Sequence, residues 1–119
     1  MTETTELVDH IVTALQDKKG HRVTIADLTR IEDTICQYFV VCTGNSPSHV
    51  QALCQNVGES VREKTGQHPV AVSGMQNALW VAMDYADVMV HVFLPEEREF
   101  YDLEHLWADA ALTELEDLD

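Results

Sequence analysis

The chain has 119 residues, 45% of them apolar, enough for one domain spanning 1–119 with its own hydrophobic core and no staple of disulfide or metal. Its formal net charge is -14, and seven basic residues spread from Lys18 to Arg98 cannot build the phosphate-neutralising stripe of a nucleic-acid binder. No apolar run approaches the ~20 residues of a membrane span, and the acidic start Met1-Thr2-Glu3-Thr4-Thr5-Glu6 is unlike a secretory signal, so the expected compartment is the cytoplasm.

Leu7, Val8, Ile11 and Leu15 recur at three- and four-residue steps, which predicts an amphipathic helix from Glu3 to Lys18, stopped by Gly20. Arg22 to Leu28 alternates as a strand does. After a polar connection, Tyr38-Phe39-Val40-Val41-Cys42-Thr43 is a continuous β-prone run suited to a central strand buried on both faces. It runs into Gly44-Asn45-Ser46-Pro47-Ser48, where Asn45 or Ser46 can cap a helix and Pro47 fits its first position. Val50, Leu53, Cys54, Val57 and Val61 stripe that helix, which ends near Gly66. Pro69-Val70-Ala71-Val72 makes a short strand, and Ser73-Gly74 turns.

Two runs follow, Leu79 to Asp84 and Asp87 to Leu94, read as a hairpin around Tyr85-Ala86. A period of two then sends Leu79, Val81, Met83, Val88, Val90 and Val92 to one face, wholly aliphatic. Trp80, Ala82, Asp84, Met89, His91 and Phe93 share the other, with Trp80 expected opposite His91 and Met89 opposite Ala82. Trp, Met and Phe beside a few polar groups is the composition of interface centres, so this second face is expected to lie open and meet another protein. Glu99 to Leu118 carries Leu103, Leu106, Trp107, Ala110, Ala111 and Leu115 at helical spacing, and the acidic end, about 113–119, is expected to fray. Trp107 is assigned to the core, and Arg98 to pinning the loop before this helix, close to Glu97, Glu99 and Asp102. The sum is a mixed α/β (α+β) architecture: a sheet of about five strands, at least one pair parallel, with helices packed on it.

Catalytic chemistry is thinly represented. Cys36, Cys42 and Cys54 show neither an even framework nor Cys-x-x-Cys spacing and read as buried free thiols. The six histidines are scattered without a zinc-ligand pair, and read as surface or hydrogen-bonded imidazoles. His91 stands apart because it lies inside a strand. Thr43-Gly44-Asn45-Ser46 could cradle a phosphate at a helix N-terminus, but no lysine is near to supply countercharge and a plain helix cap explains it. Asp84 and Asp87 could form a metal-binding pair, yet flanking a tight turn they read more simply as turn formers. The residues thus favour a binding module with no catalytic set, cofactor or metal. The alternative is a nucleotide-handling enzyme using Gly44 to Ser48 with Asp84 or Asp87 on a metal.

Trp80-Val81-x-x-Asp84-Tyr85-x-Asp87-Val88-x-Val90-His91-Val92-Phe93 is followed by Arg98-Glu99-Phe100-Tyr101-Asp102-Leu103-Glu104-x-Leu106-Trp107, with Phe39 to Ser46 in support. This pattern resembles the ribosomal silencing factor, or Iojap, family, from Leu7 to Ala110. The resemblance implies a nucleotidyltransferase-like fold without established catalysis. It also implies binding to the large ribosomal subunit through the fourteenth protein of the large-subunit series, at the subunit-joining face, which keeps the small subunit away and damps translation when nutrients are scarce. Homodimers are implied as well. The partner-binding surface expected on this basis is Trp80, Asp84, Met89, His91 and Phe93, continuous with Tyr101 and Glu104, with Asp84 and Glu104 meeting basic residues of the ribosomal protein. The chain departs from the family pattern at Gln37, commonly Asp, at Ser73, usually Glu, and at Ala86, usually Gly. The last predicts a longer turn, since Ala resists the positive φ of a two-residue loop.

Overall fold

The computed structural model describes residues 3–29, 37–102 and 111–117. In chain order these form α1 (Glu3–Asp17), β1 (His21–Asp27), β2 (Tyr38–Thr43), α2 (Pro47–Thr65), β3 (Ala71–Ser73), β4 (Trp80–Asp84), β5 (Val88–Phe93), α3 (Pro95–Tyr101) and β6 (Ala111–Glu114). The strands make one sheet in the order β3-β4-β5-β2-β1-β6. The pair β2 and β5 is parallel and every other neighbouring pair is antiparallel. The mixed α+β architecture is therefore as expected, with six strands in place of about five. No helix among the described residues is long and apolar enough to cross a membrane.

The main core lies between the sheet and the pair α1 and α2. Leu7, Val8, Ile11 and Leu15 of α1 meet Val50, Leu53, Cys54, Val57 and Val61 of α2, over Val40, Cys42, Val81, Met83, Val88, Val90 and Val92 of the sheet. Each such side chain removed from water contributes about 1.5–3 kcal/mol, which makes this layer the chief source of stability. Burial pushes the Cys42 and Cys54 thiols up to about 12, so both stay protonated and unreactive. Cys36 lies outside the described residues.

Local chemistry sets the ends of α2. Ser46 is extended at the N-cap and its hydroxyl accepts the His49 N–H, Pro47 opens the helix, and Gly66 closes it in the left-handed region at φ 76°. Strand β1 contains a one-residue irregularity: His21 pairs Thr43 while Thr24 pairs Val41, with Arg22 at φ 52° between them. The Arg22 backbone leaves the ladder there and finds other partners. Its N–H donates to Asp117 Oδ1 at 2.8 Å, and its carbonyl accepts from Arg98 Nη1 at 2.7 Å.

Two expectations are corrected. The hairpin pairs Trp80 with Phe93, Ala82 with His91 and Asp84 with Met89, not Trp80 with His91 or Met89 with Ala82. The tip sits further along the chain: Tyr85 N–H donates to the Val88 carbonyl, and Ala86 stands at φ 72° under the Asp87 N–H to Tyr85 carbonyl bond. Asp84 Oδ1 accepts the Ala86 N–H at 2.7 Å, which holds an alanine in a conformation that glycine adopts freely. Because the displacement is two residues, the side chains within β4 and β5 keep their predicted faces, while Leu79, expected on the aliphatic face, precedes β4 and is 43% exposed.

The second correction concerns the C-terminal region. The stretch 99–118 is not one continuous helix: α3 spans Pro95–Tyr101, and Ala111–Glu114 is a strand paired with Thr24–Asp27 of β1. Beyond it, Asp117 is held by the Arg22 N–H and by His21 Nδ1 at 3.0 Å. An otherwise open edge of β1 thus gains a backbone partner, and that satisfaction outweighs the helical spacing of the side chains. Leu103, Glu104, Leu106, Trp107 and Ala110 lie outside the described residues.

Candidate functional site

The face of the sheet away from α1 and α2 carries the residues singled out in the sequence. It is not uniformly open. Ala26, Leu28, Phe39, Val41 and Phe93 form a second, smaller buried cluster there, with Trp80 and Met89 packed on its margin. Phe93 is 0% exposed and His91 5%, so the expectation that both lie open is corrected. The covering is tertiary: α3 folds back over the strand ends and brings Tyr101 against Trp80, while β1 and β2 supply the neighbouring apolar side chains.

Trp80 is half-buried at the centre of an aromatic array. Its ring stacks on Phe93, centroids 5.1 Å apart and planes 25° apart, and meets Tyr101 at 4.5 Å and 44°. Phe100 joins Tyr101 edge-on at 5.1 Å. Phe100 is 81% exposed and Tyr101 43%, so the array runs from a buried root to an open tip. Glu96 and Glu99 are exposed beside it and Glu97 half-buried, which gives the open aromatics an acidic surround. Phe100 was missed as a site residue by sequence reasoning; its signal was an aromatic doublet within the acidic run Glu96 to Asp102.

Helix α3 is anchored from below. Arg98 is 2% exposed; Nη1 donates to the Arg22 carbonyl and to Thr43 Oγ1 at 2.9 Å, and Nη2 to Thr24 Oγ1 at 2.9 Å. Arg98 was expected to pin a loop beside Glu97, Glu99 and Asp102; it lies instead within α3 and fastens that helix by reaching across to β1 and β2. Asp84 and Met89, paired across β4 and β5, are half-buried at the other end of the same face, and Asp84 also serves the turn. The structure therefore brings Trp80, His91, Phe93 and Tyr101 together, places Met89 on the margin of the same buried cluster with Asp84 paired across from it, and leaves Glu104 outside the described residues.

The strand-to-helix turn that could have cradled a phosphate is already engaged. Gly44 N–H donates to the Phe93 carbonyl, Asn45 N–H to His49 Nδ1 at 2.9 Å, and the Val50 N–H to the Ser46 carbonyl. His49 then presents Nε2–H to the Lys18 carbonyl at 2.8 Å, which ties the start of α2 to the end of α1. These are the satisfied contacts of a helix cap. Among the described residues no cluster of His, Cys, Asp or Glu is arranged to hold a metal ion.

Comparison with known proteins adds an independent line. The pattern of the family described as ribosomal silencing factor during starvation matches residues 1–119. The chain is 39% identical over 111 residues to the ribosomal silencing factor RsfS of Halalkalibacterium halodurans, covering 93% of each chain. A mouse protein named mitochondrial assembly of ribosomal large subunit protein 1 is 28% identical over 84% of this chain and 44% of its own length. A crystal structure of a protein from Chromobacterium violaceum superposes with a TM-score of 0.84 at 34% identity, covering 90% of this chain and 88% of that one.

Proposed function

The chain belongs to the ribosomal silencing factor family, and from that premise we propose that it binds the large ribosomal subunit and keeps the small subunit from joining. In this reading it acts in the cytoplasm as a regulator, not an enzyme. It docks on the fourteenth large-subunit protein at the joining face and lowers translation under nutrient limitation. A homodimeric state belongs to the same reading and is measured by light scattering across dilutions.

The observation that carries the docking surface is the aromatic array that opens from half-buried Trp80 through Tyr101 to Phe100, within an acidic surround on a chain of net charge -14. Aromatic side chains bury large area at low entropic cost and dominate interface energetics. Negative charge around them speeds encounter with a basic ribosomal neighbour and orients it. His91 and Phe93 act from beneath in this account, and Met89 and Asp84 extend the surface along the sheet.

The test is sedimentation of the purified chain with isolated large subunits, followed by light scattering of subunit joining. The chain is expected to travel with large subunits and to reduce joining in proportion to occupancy. Trp80→Ala is expected to weaken binding about thirtyfold, roughly 2 kcal/mol. Normal binding by a folded Trp80→Ala variant would remove this surface from the account.

A further inference from the structure

We infer that His91 is a positioning residue that fixes the indole of Trp80 in the orientation used for docking, acting through a hydrogen bond between its Nδ1 and the indole N–H. The inference rests on the docking reading above, which places His91 beneath the surface, and gives that buried polar side chain a specific task.

Trp80 and His91 are not direct cross-strand partners. Phe93 stands opposite Trp80, and Ala82 stands opposite His91. The small alanine leaves room for the indole to lean along the diagonal until its Nε1–H donates to His91 Nδ1 at 3.0 Å. An indole nitrogen can only donate, so Nδ1 must be unprotonated and the neutral ring carries its hydrogen on Nε2. Nε2 is buried and has no hydrogen-bond partner among the described residues. The ring is instead enclosed by aromatic neighbours: Phe39 edge-on at 5.0 Å and 83°, and Phe93 at 6.2 Å and 19°.

An unpartnered buried donor is costly, and an apolar ring at position 91 would join the surrounding cluster without that cost. The imidazole offers what such a ring lacks, an acceptor for the indole N–H. With Phe93 on one side and Tyr101 on another, the bond fixes the remaining rotation of the indole, so that docking does not have to order it. Position 91 therefore trades local packing for a fixed Trp80.

Two measurements on the free protein and one on binding decide the matter. Nitrogen-15 NMR of the wild type at neutral pH is expected to show His91 with bare Nδ1 and protonated Nε2; a protonated Nδ1 overturns the inference. The indole Nε1–H of Trp80, identified by its disappearance in Trp80→Phe, is expected to exchange with solvent at least about tenfold faster in His91→Phe, with large-subunit binding weaker by about tenfold and thermal stability undiminished. His91→Asn, whose Oδ1 can take the place of Nδ1, is expected to recover slow exchange and much of the binding even though it packs less well. Unchanged exchange in His91→Phe, or binding that simply follows stability across the variants, overturns the inference. Should Trp80→Ala bind large subunits normally, the docking reading falls, while the tautomer and exchange results still judge the Trp80 and His91 relationship.

Discussion

The ring centroids of Trp80 and Tyr101 lie 4.5 Å apart, joining the first residue of β4 to the last residue of α3. Exposed aromatics extend outward from this junction to Phe100. Phe100→Ala removes a side chain with little buried surface and is expected to change folding stability by less than about 0.5 kcal/mol. Its large-subunit affinity is expected to fall about tenfold or more if the ring is an anchor. Paired urea denaturation and co-sedimentation separate the two effects.

Arg98 bears on stability instead. Replacing it with Leu takes the Arg98 donor from the buried Thr24 and Thr43 hydroxyls and one of two donors from the Arg22 carbonyl, which keeps the Thr24 hydroxyl at 3.1 Å. The expected loss is about 3 kcal/mol, read as a lower urea midpoint. Arg98→Lys keeps the charge but not the planar fork, and is expected to recover only part of that loss.

His91 gives stability a pH dependence. Burial lowers its pKa from 6.5 to about 4, so between those values the unfolded chain takes up a proton that the folded chain refuses. The contribution is therefore complete above pH ~6.5 and declines as pH falls toward ~4, by an amount on the order of 3 kcal/mol. Unfolding free energies measured across that window should slope less in His91→Phe than in the wild type.

Ala86 is held at φ 72° in the hairpin turn, where a Cβ is unfavourable. Ala86→Gly relieves that strain against a smaller entropic cost in the unfolded chain, and is expected to raise stability by about 0.5–1 kcal/mol. Calorimetry should show Tm higher by a few degrees.

These positions also show what could be read from residue order. β2, the capped turn and α2 were legible because an apolar run, Ser46, Pro47 and a spaced stripe all favour the same local structure. The sidedness of β4 and β5 was legible because a period of two survives an error of two residues in register. The turn itself was misplaced because Ala86 does not advertise a positive φ. Burial of His91 and Phe93 was not legible, since it depends on how α3 folds back and on neighbours from β1 and β2. Residues Ala111–Glu114 read as helix because their spacing says nothing of the vacant ladder on β1 that they complete.

The rooting of α3 carries a kinetic consequence. A seven-residue helix would not persist in water by itself, yet here Arg98 fastens it to the sheet, so Phe100 and Tyr101 are displayed without a coil-to-helix step. Capture by the ribosome should then be a single concentration-dependent phase with no plateau at high subunit concentration, and its rate constant should drop steeply as ionic strength rises.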